Sequence, residues 1–138
     1  MTTTEARAPC AFGRAILAGQ AGCTLARRRA FGEQEGILCA SPVAHVNCAT
    51  LLALLRERST FALKLPPSAA PLPHAHTLRL QCGGIRAFAA ALGDTDAADV
   101  HAVIAGARER WGELSALPFE PVVRAIAAWQ PRRRSAGP

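Results

Sequence analysis

Cysteines are the residues of this chain best suited to chemistry, and there are five of them. They are Cys10, Cys23, Cys39, Cys48 and Cys82. None forms a Cys-x-x-Cys pair with another, and this spacing argues against a zinc ribbon and against a thioredoxin-type redox pair. An iron–sulfur cluster is compatible with wide spacing, because its thiolate ligands can come from separate segments of the chain. An odd number of cysteines also fits four ligands and one bystander.

We therefore predict that Cys10, Cys23, Cys39 and Cys48 bind a metal centre in the N-terminal third of the chain. A [4Fe–4S] cluster is the preferred occupant, since ligation by cysteine alone suits iron–sulfur chemistry. Zinc bound to the same residues is the alternative. Cys82 is predicted to be a core residue, because it belongs to an apolar stripe at helical spacing.

The segment from Cys39 to Cys48 joins the predicted metal site to a helix. Ser41 is a good N-cap, and Pro42 follows at the first helical position, where proline is tolerated. Cys39 then lies just outside the positive end of the helix, where a thiolate is favoured. His45 shares a helix face with Cys48. The sequence leaves three roles open for this histidine: a metal ligand, a donor to a cluster sulfur, or a locally hydrogen-bonded side chain.

Apolar residues at helical spacing predict the elements that must position these cysteines. They indicate helices over about residues 42–63, 77–92, 96–111 and 120–129. Residues 10–38 are interrupted by glycines. We predict a short helix at residues 11–18, a helical turn or two at 24–31, a turn at 32–36 and a short extended piece at 37–39. No long alternating strand pattern is present. The predicted fold class is therefore all-α, a compact bundle of about four helices with an irregular N-terminal segment organised by its cysteines.

The same patterns divide the chain into one domain and two tails. Residues 1–9 are predicted to be a flexible tail, and residues 131–138 an arginine-rich flexible tail. Between them, residues 10–130 form a single helical domain. Its first part, residues 10–48, is organised by the metal, and residues 49–130 form the helical core.

Composition limits the possible partners and locations. The chain has 138 residues, of which 50% are hydrophobic, and a formal net charge of +6. Part of that charge lies at positions 132–134 and the rest is spread, so no nucleic-acid partner is predicted. Its apolar runs are far shorter than the roughly 20 residues of a membrane span, and the first residues do not resemble a signal peptide. We expect a cytoplasmic protein, where cysteines are more often metal-bound, reactive or unpaired than joined in disulfides.

Taken together, these patterns predict a small iron–sulfur protein in electron transfer or redox sensing, with another protein as its redox partner. Whether the chain has enzymatic activity is left open. One alternative is a metal-free or zinc-stabilised helical module that binds other proteins, with the arginine-rich tail contacting an acidic partner. Another is a thiol-redox protein that uses Cys39 together with Cys48 or Cys10.

Three stretches of the chain carry a resemblance to other proteins. The first is Cys-Ala-Ser-Pro-Val-Ala-His-Val-Asn-Cys at residues 39–48, and the second is Leu-Leu-Arg-Glu-Arg-Ser-Thr-Phe-Ala-Leu at residues 54–63. The third is Leu-Gln-Cys-Gly-Gly at residues 80–84. This combination resembles a group of small bacterial cysteine-containing proteins without a characterised activity. The resemblance extends over most of the chain and implies no role for any particular residue.

Overall fold

The computed structural model describes residues 8–66, 70–93 and 99–130. Within these ranges the chain is mostly helical and contains one two-stranded sheet. Its elements in order are α1 (Gly13–Leu17), β1 (Ala26–Phe31), β2 (Gln34–Cys39), α2 (Pro42–Leu63), α3 (His74–Leu78), a π-helical turn (Arg79–Gly83), α4 (Gly84–Ala91), α5 (Val100–Trp111), a short 3-10 helix (Leu114–Ala116) and α6 (Phe119–Ala128). Outside the described residues lie most of the predicted N-terminal tail, all of the C-terminal tail, and the predicted start of the third helix at residues 96–98.

The sheet corrects the prediction of a strictly all-α fold. Residues 26–31, predicted as helical turns, form β1, which pairs antiparallel with β2. Arg28 lies opposite Ile37 in this pairing, and Ala26 lies opposite Cys39. The chain reverses at Gly32, whose φ of 65° is readily adopted only by glycine. Burial of Ile37 holds the hairpin against the rest of the domain.

Helix α2 begins as the sequence predicts. The Ser41 side chain accepts a hydrogen bond from the Ala44 amide, and Pro42 is the first helical residue. The buried stripe of α2 faces the core at helical spacing, and its members are Ala44, Cys48, Leu51, Leu55 and Ser59. Cys48 therefore lies in the second turn of a long, well-anchored helix. The helix ends at Leu63. Lys64 follows it in the left-handed conformation that often terminates helices.

The second long helical stretch joins α3, the π-helical turn and α4 without a break. A Cβ atom on Gly84 would lie only 2.7 Å from Cδ1 of Leu55, and one on Gly83 would lie 3.1 Å from Cα of Ile126. These two glycines therefore allow α2 and α6 to approach the helix closely, which offsets their low helix propensity.

The core lies where α2, α4, α5 and α6 meet. Phe88 and Phe119 pack there edge to face, with ring centroids 6.2 Å apart. Cys82 has a relative exposure of 1%, in the middle of the π-helical turn, as expected of a core residue. No helix in the described part of the chain is long and apolar enough to cross a membrane.

Candidate metal site

A small cavity lies between the hairpin, α2 and the start of α5. Its lining includes Cys10, Cys23, Cys39 and Cys48, together with His45 and His101. We call it the cysteine cavity. The four predicted ligands thus line one cavity, whereas Cys82 is buried elsewhere and does not line it. The cavity volume is about 10 Å³, which is room for about one water molecule.

Backbone pairing positions Cys10 and Cys39. The Cys10 amide donates to the Ile37 carbonyl at 2.8 Å, and the Cys39 amide donates to the Ala8 carbonyl at 3.0 Å. The segment around Cys10 therefore runs beside β2, on the side opposite β1. Cys10 is half-buried, while Cys39 has a relative exposure of 8%. The Cys39 thiol donates to the Ser41 carbonyl at 3.3 Å, so the helix start holds this side chain in place.

Cys23 is held between two contacts with the start of α5. The Asp99 carboxylate accepts from the Thr24 amide at 2.7 Å and also caps α5 by accepting from the Ala102 amide. On the other side of Cys23, the Gly22 carbonyl accepts from the Val100 amide at 2.8 Å. Asp99 therefore fixes a cysteine loop and a helix start with one side chain.

These same bonds bring His101 to the cysteine cavity. Its side chain is exposed, and its position in the first turn of α5 follows directly from the Asp99 cap. His101 is not among the residues predicted from the sequence, because it is 53 residues from the nearest of the cavity cysteines. The Asp99 N-cap at the helix start is the only feature of the sequence that could have indicated it.

Burial and mutual repulsion keep two of the thiols protonated. Burial first, and then the charges of Cys10, Cys23 and Cys39, together raise the pKa of Cys48 to about 12. Burial also raises the pKa of Cys10, against a hydrogen bond at Phe12 that lowers it. Thiolates brought this close repel one another, so a full set of them requires a compensating cation. A bound metal centre would supply that positive charge and would release the thiol protons.

The raised pKa of Cys48 predicts that the metal-free protein loses stability in alkali. The thiol has a pKa near 9.0 in the unfolded chain and about 12 in the folded one. Its stabilising contribution is complete below the first value and is lost as the pH rises through the second, because the unfolded chain releases the proton more readily. We expect urea unfolding to require less urea at about pH 10 than at about pH 7.5.

Cys48→Ala provides the matched control for this pH dependence. It should reduce the difference in stability between the two pH values, and Cys82, whose burial raises its pKa to about 11, should account for part of the remainder. Equal urea midpoints at both pH values in the wild-type protein would contradict the burial of these thiols.

The described donors do not form a preformed site for a single metal ion. Among the residues that the structure describes, no three His, Cys, Asp or Glu side chains are grouped so that they could hold one metal ion. A zinc site needs its ligands gathered at about 2.3 Å from a single ion. The cysteine cavity as it stands therefore does not have the geometry of a zinc site.

The small volume of the cavity sets a condition on the prediction of a cluster. A cluster is larger than one water molecule, so its insertion requires the surrounding segments to move apart. Cys10 and Cys23 lie outside the helices and strands and are only half-buried. To move either segment, cluster insertion would have to break hydrogen bonds such as that of the Cys10 amide with the Ile37 carbonyl and that of the Thr24 amide with Asp99.

Comparison of the chain with protein-family models, with curated proteins and with solved structures finds no match. The interpretation of the cysteine cavity therefore depends on its own geometry and chemistry.

Proposed function

We propose that this protein is a small iron–sulfur protein of electron transfer or redox sensing, with a [4Fe–4S] cluster bound by Cys10, Cys23, Cys39 and Cys48. One observation carries the proposal: the four cysteines come from four separate segments and line one cavity. Burial alone does not bring a cysteine to this cavity, because Cys82 is also buried and does not line it.

The ionisation of the thiols argues against a metal-free redox function. A cysteine that attacks disulfides needs a lowered pKa and access to solvent. Cys48 is buried and its pKa is raised to about 12, and the pKa of Cys10 is also raised by burial. Both are therefore poor nucleophiles at neutral pH. The same thiols become good ligands once a metal displaces their protons.

The exposure of the site favours a protein as the redox partner. Cys10 and Cys23 are half-buried, and His101 at the same cavity is exposed, so a bound cluster lies close to the surface on this side. Electron-transfer encounters use small surface contacts over such centres. We place the protein in the cytoplasm, where thiols are kept reduced and available for cluster assembly.

A metal-free or zinc-stabilised module that binds other proteins is the second candidate. The volume of the cysteine cavity, about 10 Å³, favours it, because a domain without a cluster needs no larger space. The two candidates differ in colour and in redox behaviour.

Anaerobic purification from cells with full iron and sulfur supply tests the proposal. The protein should be brown, with a broad absorption at about 400 nm that bleaches when dithionite is added. Electron paramagnetic resonance should then detect the reduced cluster. A colourless, well-folded protein from such cells would overturn the proposal in favour of the second candidate.

A further inference from the structure

Two exposed arginines lie side by side on the hairpin, and the proposed metal site does not use them. Arg27 and Arg29 are alternate residues of β1, so their side chains lie on the same face of the strand, with Cα atoms about 7 Å apart. The register places Leu38 and Gly36 opposite them, and both of these residues are uncharged. These four residues form a surface that we call the arginine face.

The arginine face is the side of the hairpin that is turned away from the cysteine cavity. Ile37 and Cys39 lie on either side of Leu38 in β2, so they belong to the opposite face, and both are buried against the domain. Arg27 and Arg29 are exposed, whereas Leu38 is half-buried. A partner bound to the arginine face would therefore be separated from the cavity by one layer of sheet, about 10 Å thick.

The charges on this face are held in place and are not neutralised. Nη1 of Arg27 donates to the Thr24 carbonyl at 3.1 Å and to the Ala26 carbonyl at 2.9 Å, and these neutral partners leave its charge uncompensated. Within the described part of the chain, the Arg29 side chain makes no hydrogen bond or ion pair. The Asp99 carboxylate, which contacts Thr24, is engaged by the Thr24 amide and by the cap of α5. Two exposed guanidinium groups are therefore available to carboxylates from another molecule.

We propose that the arginine face binds an acidic protein surface, with two carboxylates about 7 Å apart, as on alternate residues of an extended segment. Arginine is enriched in protein interfaces, and Leu38 adds an apolar contact beside the two charges. A second copy of this chain does not fit, because its own arginine face carries the same charge. A nucleic acid is held through many phosphate contacts, whereas this face offers two arginines.

The binding of an acidic surface follows from the hairpin alone. That the bound protein is the electron-transfer partner rests on the proposed function, because the same hairpin lines the cysteine cavity with its opposite face.

A short peptide in which glutamate alternates with threonine is a suitable probe, because threonine favours an extended chain and the glutamates then share one face. At low ionic strength, we expect nuclear magnetic resonance to detect saturable shifts of the amide signals of β1 and β2. The double variant Arg27→Gln and Arg29→Gln should weaken binding at least about threefold. The matched control, Arg86→Gln with Arg108→Gln, removes the same charge at exposed positions of α4 and α5 and should bind as the wild type does.

Arg29→Gln alone serves as a second variant that leaves the contacts of Arg27 intact, and it should weaken binding in part. Circular dichroism checks that each variant is folded. Absent peptide binding would overturn the proposal, and so would equal weakening in both double variants, since the peptide would then respond to net charge alone. Tighter binding of oligothymidine that depends on Arg27 and Arg29 would overturn it in favour of a nucleic-acid surface.

Iron analysis of the same sample keeps the two proposals separate. Peptide binding to iron-free protein would leave the arginine face standing while the iron–sulfur function fails. Iron-loaded protein that does not bind the peptide would give the reverse result.

Discussion

Cys39→Ala is expected to reduce the iron content of the purified protein to less than about a tenth of the wild-type value, because a cluster that loses one of its thiolates is not retained. Cys39 lines the cysteine cavity and is held there by β2 on one side and the start of α2 on the other. Because the Cys39 side chain is held in this way, no neighbouring side chain is expected to replace it as a ligand. The iron content, measured after anaerobic purification, provides the readout.

Cys82→Ala is the matched control for this experiment. Both cysteines are buried, and both substitutions remove one sulfur, but Cys82 lies in the core and away from the cysteine cavity. The Cys82 variant should therefore lose some stability and keep its iron. Cys10→Ala, Cys23→Ala and Cys48→Ala should behave as Cys39→Ala does. Retention of iron in the Cys10 variant, together with its loss in the Cys82 variant, would show that the ligand set is wrong.

Gln81→Leu is expected to destabilise the protein by about 2–6 kcal/mol, because it leaves two backbone groups without a partner. Gln81 has a relative exposure of 4%, and its side chain accepts from the Ala15 amide and donates to the Ala11 carbonyl. Leucine keeps most of the volume and removes both hydrogen bonds, so two backbone groups of the α1 segment lose their partner at a cost of about 1–3 kcal/mol each. That segment directly follows Cys10, so the variant should also lose iron faster when exposed to a chelator.

Urea unfolding and chelator-induced loss of absorption measure these two effects. Gln130→Leu is the matched control, because it makes the same chemical change at an exposed position. It should alter the stability by less than about 0.5 kcal/mol. If Gln81→Leu unfolds at the same urea concentration as this control, the buried hydrogen bonds of Gln81 do not contribute to holding the α1 segment.

The helices could be predicted from capping residues and from the spacing of apolar residues. Ser41 and Pro42 indicate the start of α2, and the spacing of apolar residues along it identifies the buried face. The hairpin was missed, because the consecutive arginines of β1 have no alternation of polar and apolar residues. Its stability comes from pairing with β2 and from the turn at Gly32, neither of which is visible within a single segment.

The choice of the cysteines in the cavity could be made from the sequence, but their convergence could not. Cys82 was set aside because it lies on an apolar stripe, and the remaining cysteines followed by elimination. Cys23 reaches the cavity through hydrogen bonds between its neighbours and residues at the start of α5, such as Thr24 with Asp99. Tertiary bonds of this kind connect residues distant in sequence, and so His101 escaped prediction as well.

The burial of Cys39 could not be predicted from its place before the N-terminus of α2. Cys39 is the last residue of β2, and its side chain is buried. Strand pairing decided the orientation, and the helix end supplied only the Ser41 carbonyl that the thiol contacts.

The most direct test of the iron–sulfur proposal is the ratio of iron and acid-labile sulfide to protein after anaerobic purification, repeated after reconstitution with ferrous iron and sulfide. We predict about four iron atoms and about four sulfides per chain, with both lost together in Cys39→Ala. A folded protein that takes up neither iron nor sulfide, or that holds zinc at about one atom per chain, would contradict the proposal.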